Sequence, residues 1–186
     1  MTQMRVLKKM KNFFNKFWKF YWKDTSFQSY VFFIIFTYLV FKFVFYPAFL
    51  YIFGLKDIVS ILSGSMTHHG DFTQWYLEHG FTLEEINSWP FQKGFNIGDA
   101  VVIKSVENIS ELKVGDVVVF DAGLDEPIIH RIIELNNKTF TTHGDNNYGL
   151  LPQEENVSYN KLIGKAVMKL PLAGIPRMLM KNIFGL

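Results

Sequence analysis

The sequence predicts a mainly β protein, in which an antiparallel β-sheet domain follows an N-terminal transmembrane helix. A run of bulky apolar residues lies near the N-terminus, between Phe27 and Leu55. After Gly54 the pattern changes to short runs rich in Val, Ile and Phe, and turn residues separate these runs, which is typical of antiparallel strands. The chain of 186 residues is long enough to bury one core besides such an anchor.

The charge of the chain is distributed unevenly. Residues 1–55 carry eight Lys or Arg side chains against one acid, Asp24, for a net charge of +7, whereas residues 56–186 carry a net charge of −5. We therefore expect the two parts to lie in different surroundings. The total of +2 gives no indication of a nucleic-acid partner. The chain has no cysteine, which excludes thiol nucleophiles and zinc sites with Cys ligands.

The apolar run from Phe27 to Tyr46 has the length of a membrane span, because about 20 residues of helix cross the hydrocarbon core. Lys42 would lie one turn before the end of this span, where its ammonium can reach the interface. Pro47 then marks the exit, so residues 25–55 are expected to form the anchor and its exit. A cleaved signal peptide is the alternative, but its apolar core would be shorter and would end at small residues.

Residues 1–24 are expected to form a basic amphipathic helix in the cytoplasmic membrane interface. An apolar stripe recurs there at helical spacing: Val6, Met10, Phe13, Phe17 and Tyr21. A frayed basic tail is the alternative. Lys and Arg that flank a span stay in the cytoplasm, so residues 56–186 are expected to lie outside the cell membrane.

The second part contains five predicted strands, at 100–105, 116–121, 127–135, 139–144 and 162–170. Residues 72–90 interrupt this rhythm, and Thr82 followed by Glu85 predicts a capping box at the start of a short helix. The C-terminal residues 171–186 are apolar but too short for a predicted second span, which leaves contact with the membrane surface open.

Three short motifs contain residue types that carry chemistry: Ser63-Gly64-Ser65-Met66, His130-Arg131, and Gly144-Asp145-Asn146-Asn147. A serine hydroxyl becomes a nucleophile when a base takes its proton, and a third group that orients the imidazole improves that base. Taken singly, each motif also fits a structural role as a turn or as a half-buried histidine.

The order of these motifs after an apolar anchor, with the stretch LIGKAVMKLP behind them, resembles type I signal peptidases of the archaeal and endoplasmic-reticulum kind. The resemblance covers roughly residues 58–172. It implies a membrane-bound serine endopeptidase that removes signal peptides from exported preproteins after small residues. It also implies no metal and no cofactor. The expected partners are preproteins and membrane lipid, and the need for further subunits is left open.

The resemblance also assigns roles to individual residues. Ser65, before Met, is the expected nucleophile, and His130 is the expected general base where bacterial relatives use a lysine. Asp145 is the expected orienting acid. The Ser63 hydroxyl and the Ser65 backbone N–H are expected to form the oxyanion hole.

The chain departs from the pattern of these relatives in three places. His68 stands where many of them have Pro. Leu151 stands where they often carry a second Asp, which leaves Glu154 and Glu155 as more distant substitutes. An insertion over residues 67–94 is longer than compact members need.

Two other functions remain as alternatives. The first is a membrane-anchored metal-dependent hydrolase that uses His68, His69 and Asp71, with His79 and His143 as further ligands. Adjacent histidines seldom bind one ion, however, and solvated loop residues explain this composition better. The second is a non-catalytic, membrane-anchored binding domain, in which Ser65 has no role.

Overall fold

The computed structural model describes residues 2–23, 25–68, 70 and 72–185. The chain divides into two compact units, residues 1–52 and residues 53–186. The first unit is helical and the second is built around one β-sheet. Each unit is described by itself below.

The N-terminal unit contains one long apolar helix. It is composed of α2 (Phe27–Val40), a π-helical turn (Phe41–Phe45) and α3 (Tyr46–Ile52). Together these segments run for 26 residues. An 18-residue stretch of this helix has a mean hydropathy of 2.0, and none of that stretch is buried. By length and composition, this helix can cross a membrane.

The helix continues through Pro47, the expected exit from the membrane, and ends at Ile52. A proline lacks the N–H of a regular helix, and its ring conflicts with the carbonyl four residues earlier. The π-helical turn before Pro47 widens the helix, and the Tyr46 N–H donates to the Phe41 carbonyl five residues back. Lys42 lies ten residues before the end of this helix at Ile52.

The predicted N-terminal helix is present as α1 (Thr2–Lys23), and its C-terminal half packs against α2. The Phe17 ring lies 5.9 Å from the ring of Phe32 and 5.4 Å from that of Phe36, measured between centroids. The hydroxyls of Tyr21 and Thr37 are 2.8 Å apart. α1 and α2 thus form a hairpin held mainly by aromatic contacts.

The second unit contains a seven-stranded antiparallel sheet with the strand order β1-β2-β7-β3-β4-β5-β6, which confirms the predicted mainly β fold. The strands are β1 (Leu55–Ser60), β2 (Ala100–Lys104), β3 (Val117–Phe120), β4 (Ile128–Leu135), β5 (Thr139–His143), β6 (Val157–Ser158) and β7 (Leu162–Leu170). β2 to β5 and β7 correspond to the five predicted strands. β1 and β6 were not predicted.

Both faces of the sheet are covered, because alternate residues of β3 enter two different cores. Val117 and Val119 join one buried cluster with Met66 and Phe95. Val101 and Ile103 of β2 belong to the same cluster. Val118 and Phe120 join the other cluster on the opposite face, with Ile132 and Phe140. A strand buried on both faces reads as a continuous apolar run, which explains the sequence VVVF.

The insertion forms two short helices, α4 (Thr73–Glu78) and α5 (Leu83–Ser88), around a third buried cluster of Tyr76, Ile86 and Trp89. The predicted capping box is present at α5. The Glu85 N–H donates to the Thr82 hydroxyl, and the Thr82 N–H donates to the Glu85 carboxylate, at 3.2 and 2.8 Å.

The two Gly-Asp turns before β2 and β3 are structural. The Asp99 carboxylate accepts the Asn96 N–H at 2.8 Å and pairs with Lys169 of β7 at 3.0 Å. Asp116 repeats the arrangement with the Lys113 N–H and with Lys165 of β7. These ion pairs join the turns to β7.

The last helix, α6 (Ile175–Phe184), follows β7. Its Arg177 and Lys181 side chains bind the Glu126 carboxylate at 3.2 and 2.9 Å. Four apolar side chains of α6 are exposed: Leu179, Met180, Ile183 and Phe184.

Candidate active site

A cavity of about 840 Å³ in the second unit brings the expected nucleophile and the expected base together. Ser65 and His130 both line it, with Ser63 beside them and with Asn146 and Asn147 of the third motif. Its other walls are largely apolar: Ile61, Leu62, Leu124, Pro127, Ile128, Ile129 and Leu151. An apolar cleft with a few polar groups in it is the usual form of a binding site for a small or extended ligand.

Ser65 is fixed by the buried residue that follows it. Met66 is 1 % exposed and belongs to the core, and its carbonyl accepts the Phe95 N–H at 2.8 Å. The Thr67 N–H closes the turn by donating to the Gly64 carbonyl at 3.0 Å. The Ser-Gly-Ser-Met motif is therefore a tight turn whose last side chain anchors it, while Ser65 faces the cavity.

Two hydrogen-bond donors lie at this turn. The hydroxyls of Ser63 and Ser65 are 3.2 Å apart. Within the described ranges, the Ser65 backbone N–H makes no hydrogen bond. The Ser65 N–H is thus available to an anion beside Ser65, and the Ser63 hydroxyl becomes available when its bond to the Ser65 hydroxyl breaks, which is what an oxyanion hole requires.

His130 is held by a buried acid. It lies on β4 opposite Val118 of β3 and is 4 % exposed. Its Nδ1 bonds to the Glu154 carboxylate. A carboxylate only accepts, so in the neutral imidazole Nδ1 carries the hydrogen and Nε2 keeps its lone pair. This tautomer is the one that lets an imidazole act as a base at Nε2.

Glu154 is completely buried, and its carboxylate is fully engaged. It lies on a 3₁₀ turn, Pro152–Glu154. Besides His130, it accepts the Leu151 N–H at 2.7 Å and the Thr142 hydroxyl at 3.4 Å. A buried carboxylate without such partners would be strongly unfavourable, so these bonds explain how Glu154 is kept at this position.

Asp145 does not contact His130, which corrects the predicted pairing. Its carboxylate binds the Arg131 guanidinium through two bonds of 2.9 and 2.6 Å. The reason is the alternation of β4, because neighbouring side chains of a strand point to opposite faces. Arg131 lies opposite His143, the last residue of β5, and Asp145 follows in the turn after β5 with its carboxylate on the face of Arg131.

The other two bonds to the Asp145 carboxylate come from the insertion. The Tyr76 hydroxyl donates to it at 2.6 Å, and His68 Nε2 lies 2.7 Å from it. Burial alone would raise the pKa of Asp145, but the hydrogen bond from His68 and the charge of Arg131 bring it well below its usual range. Burial and the negative charge of Asp145 raise the pKa of Tyr76, so the phenol stays a neutral donor.

The described histidines among those expected at a metal site do not converge on one point. His143 and His79 both stack on Trp75, at 3.6 and 3.7 Å between ring centroids, and two rings that close must occupy opposite faces. Among the described residues there is no group of three side chains suited to hold a metal ion. His69 and Asp71 lie outside the described residues.

Among the described residues that line this cavity, there is also no unpaired lysine that could act as the base. Lys181 is the one lysine among the described lining residues, and its ammonium is paired with Glu126. Lys165 and Lys169 are held by the structural carboxylates Asp116 and Asp99.

These features define the class of site. A serine and a histidine–carboxylate pair that share one cleft are the groups used by serine hydrolases. No family model matches the chain. Over 72 residues, however, the chain is 32 % identical to signal peptidase I W of Bacillus subtilis (strain 168). The aligned segment covers 37 % of this chain and 38 % of that protein. The similarity supports the type I signal peptidase family, and thus a peptidase, at the family level.

We predict that His143 makes the stability of the fold depend on pH. Burial is the main reason that the pKa of His143 falls to about 4, against about 6.5 in an unfolded chain. Between these values the unfolded state binds the extra proton, so the free energy of unfolding decreases as pH falls from 6.5 to 4, by at most about 1.4 kcal/mol per pH unit.

The measurement is denaturant unfolding at pH 6.5 and pH 4.5. In His143→Phe, which keeps a ring against Trp75 but cannot titrate, this part of the slope should disappear. Identical slopes in wild type and variant would contradict the assignment.

Proposed function

We propose that this protein is a membrane-anchored serine endopeptidase of the signal peptidase I type, which cleaves preproteins after small residues. Ser65 is the nucleophile, His130 the general base and Glu154 the acid that orients the imidazole. The observation that carries the proposal is that Ser65 and His130 line one cleft, while a buried carboxylate holds Nδ1 of His130.

The chemistry follows from these positions. The Ser65 oxygen attacks the carbonyl carbon of the scissile bond, and His130 Nε2 takes the hydroxyl proton. The resulting oxyanion accepts hydrogen bonds from the Ser63 hydroxyl and the Ser65 N–H. His130 then gives its proton to the leaving amine, and the acyl group remains on Ser65. Water, deprotonated by His130, releases the signal peptide as a carboxylic acid.

In the free enzyme the Ser65 hydroxyl bonds to Ser63, and no hydrogen bond to His130 is present within the described part of the chain. Catalytic hydrogen bonds are often absent before the substrate is bound. Rotation of the Ser65 side chain about its Cα–Cβ bond redirects the hydroxyl, and Ser63 is then released to serve the oxyanion.

A histidine base supports the archaeal and endoplasmic-reticulum subtype that the sequence motifs resemble. Three lysines that could compete are engaged by carboxylates: Lys165, Lys169 and Lys181. Lys104, at the end of β2, is exposed and does not line the cleft. His130 is therefore the base that the geometry favours.

The substrate is expected to bind as an added strand. β1 is an edge strand of the sheet, and its residues Val59 and Ser60 line the cleft beside Ser65. An extended peptide can pair with such an edge through its main chain, and alternate side chains then enter shallow pockets. The apolar walls suit the small apolar residues that precede a signal peptide cleavage site.

We further propose that the helix Phe27–Ile52 anchors the protein, with the basic N-terminus cytoplasmic and the sheet unit outside. The Lys-rich flank before the apolar helix supports this orientation. Protease added to the external face of intact cells or spheroplasts should digest residues 56–186 and spare the N-terminus. Digestion of the N-terminus alone would contradict the orientation and, with it, the function.

The direct test is cleavage of a preprotein by the detergent-purified full chain. We expect Ser65→Ala to abolish cleavage without changing the melting temperature, because the side chain is only half-buried. Ser63→Ala should lower kcat by about 10²–10³, as expected for the loss of one oxyanion donor. Undiminished cleavage by Ser65→Ala would refute the proposal and favour the binding domain.

Glu154→Gln separates the orienting acid from the predicted Asp145. Glutamine preserves the shape of the side chain but not its charge, and it favours the wrong tautomer of the imidazole. We therefore expect kcat to fall by about 10⁴, as for the corresponding Asp-to-Asn change in the Ser-His-Asp triad of serine proteases. Glu155→Gln is the matched control, since Glu155 is exposed and should leave kcat unchanged. Equal activity of the two variants, measured with the same preprotein, would remove Glu154 from the mechanism.

A further inference from the structure

We propose that the insertion at residues 67–94 fixes the position of the Asp145 carboxylate and, through it, the position of Ser65 relative to His130. Tyr76 and His68 are then positioning residues for Ser65 and His130. The inference rests on the proposed function. It gives Asp145 a role other than contact with the imidazole, and it gives the insertion a role in catalysis.

On the insertion side, both donors to Asp145 are themselves fixed. The Tyr76 ring is fully buried, in one cluster with Ile86 and Trp89. The His68 ring stacks on Phe72 at 3.9 Å between centroids, and its Nδ1 lies 3.0 Å from the Gln92 carbonyl. Neither donor can follow Asp145 if the carboxylate moves, so together they define its position.

On the catalytic side, the turn that contains Asp145 contacts both reacting residues. The Asn146 N–H donates to the Ser65 carbonyl at 2.8 Å, and the Asn146 side chain donates to the Gly64 carbonyl at 3.0 Å. Gly144 packs against the base, since a Cβ at Gly144 would lie 2.7 Å from His130 Nε2. The residues on either side of Asp145 thus set where Ser65 and His130 meet.

The Arg131 guanidinium already supplies a full positive charge opposite Asp145. It binds both carboxylate oxygens of Asp145, and its Nη1 donates to the Pro90 and Gly115 carbonyls at 2.8 Å. A carboxylate has about four acceptor sites, and Tyr76 and His68 fill the two that Arg131 leaves. Their contribution is therefore orientation of the turn, and a displacement of about 1 Å at a reacting group can cost 10²-fold in rate.

The experiment measures cleavage of one preprotein by the full chain in detergent, under single turnover and well below the melting temperature. The enzyme is in excess, and its concentration is varied up to saturation so that both the rate constant and the KM are obtained. Tyr76→Phe removes the hydroxyl and keeps the buried ring. We expect the rate constant to fall by about 10- to 100-fold, with the KM within twofold of wild type. Ile86→Val is the matched control, because it loosens the same cluster without touching Asp145, and its rate should stay within twofold.

A second pair of variants keeps the test independent of the folding of Tyr76→Phe. His68→Ala should slow the reaction like Tyr76→Phe, and His68→Gln, which retains a donor, should recover most of the rate. The proposal is overturned if Tyr76→Phe is no slower than Ile86→Val, if the loss appears in KM alone, or if His68→Gln is as slow as His68→Ala. Cleavage that survives in Ser65→Ala would instead refute the proposed function, and the positioning role with it.

Discussion

The buried ion pair between Arg131 and Asp145 is the interaction on which the second unit depends. Both side chains are withdrawn from solvent, and every polar atom of the pair has a partner. Removal of one member of such a pair typically costs 3–5 kcal/mol, because an unpaired charge stays buried. The pair joins β4, the turn after β5, the insertion and the loop before β3, so four separate segments share one electrostatic constraint.

The alternation of β4 divides two neighbouring residues between two tasks. His130 points to the face where Glu154 and the cleft lie, and Arg131 points to the face where Asp145 lies. The His-Arg motif therefore contains one residue suited to proton transfer and one that supports the architecture. A single shift of register in β4 would exchange the two faces and disable both.

The sequence predicted what depends on local patterns. Five strands and the capping box at Thr82 follow from alternation and turn residues. The roles expected for Ser65 and His130 come from the resemblance to signal peptidases, and no local pattern predicts that the two residues line one cleft. The sequence patterns do not favour Glu154 over Asp145 as the partner of His130, because this pairing depends on an irregular loop followed by a 3₁₀ turn. Nor does the sequence indicate the π-helical turn through which the long helix accommodates Pro47.

The two edges of the sheet differ in length. β1 offers six residues at one edge, whereas β6 at the other contributes only two. An unpaired strand is a template for any other extended chain, and natural proteins shorten such edges to avoid association with copies of themselves. The β1 edge is therefore the longer of the two templates for a guest strand. A rigid peptide mimic that hydrogen-bonds along β1 would compete with polypeptide for this edge without any reactive group, and its affinity would come from backbone pairing rather than from capture of the serine.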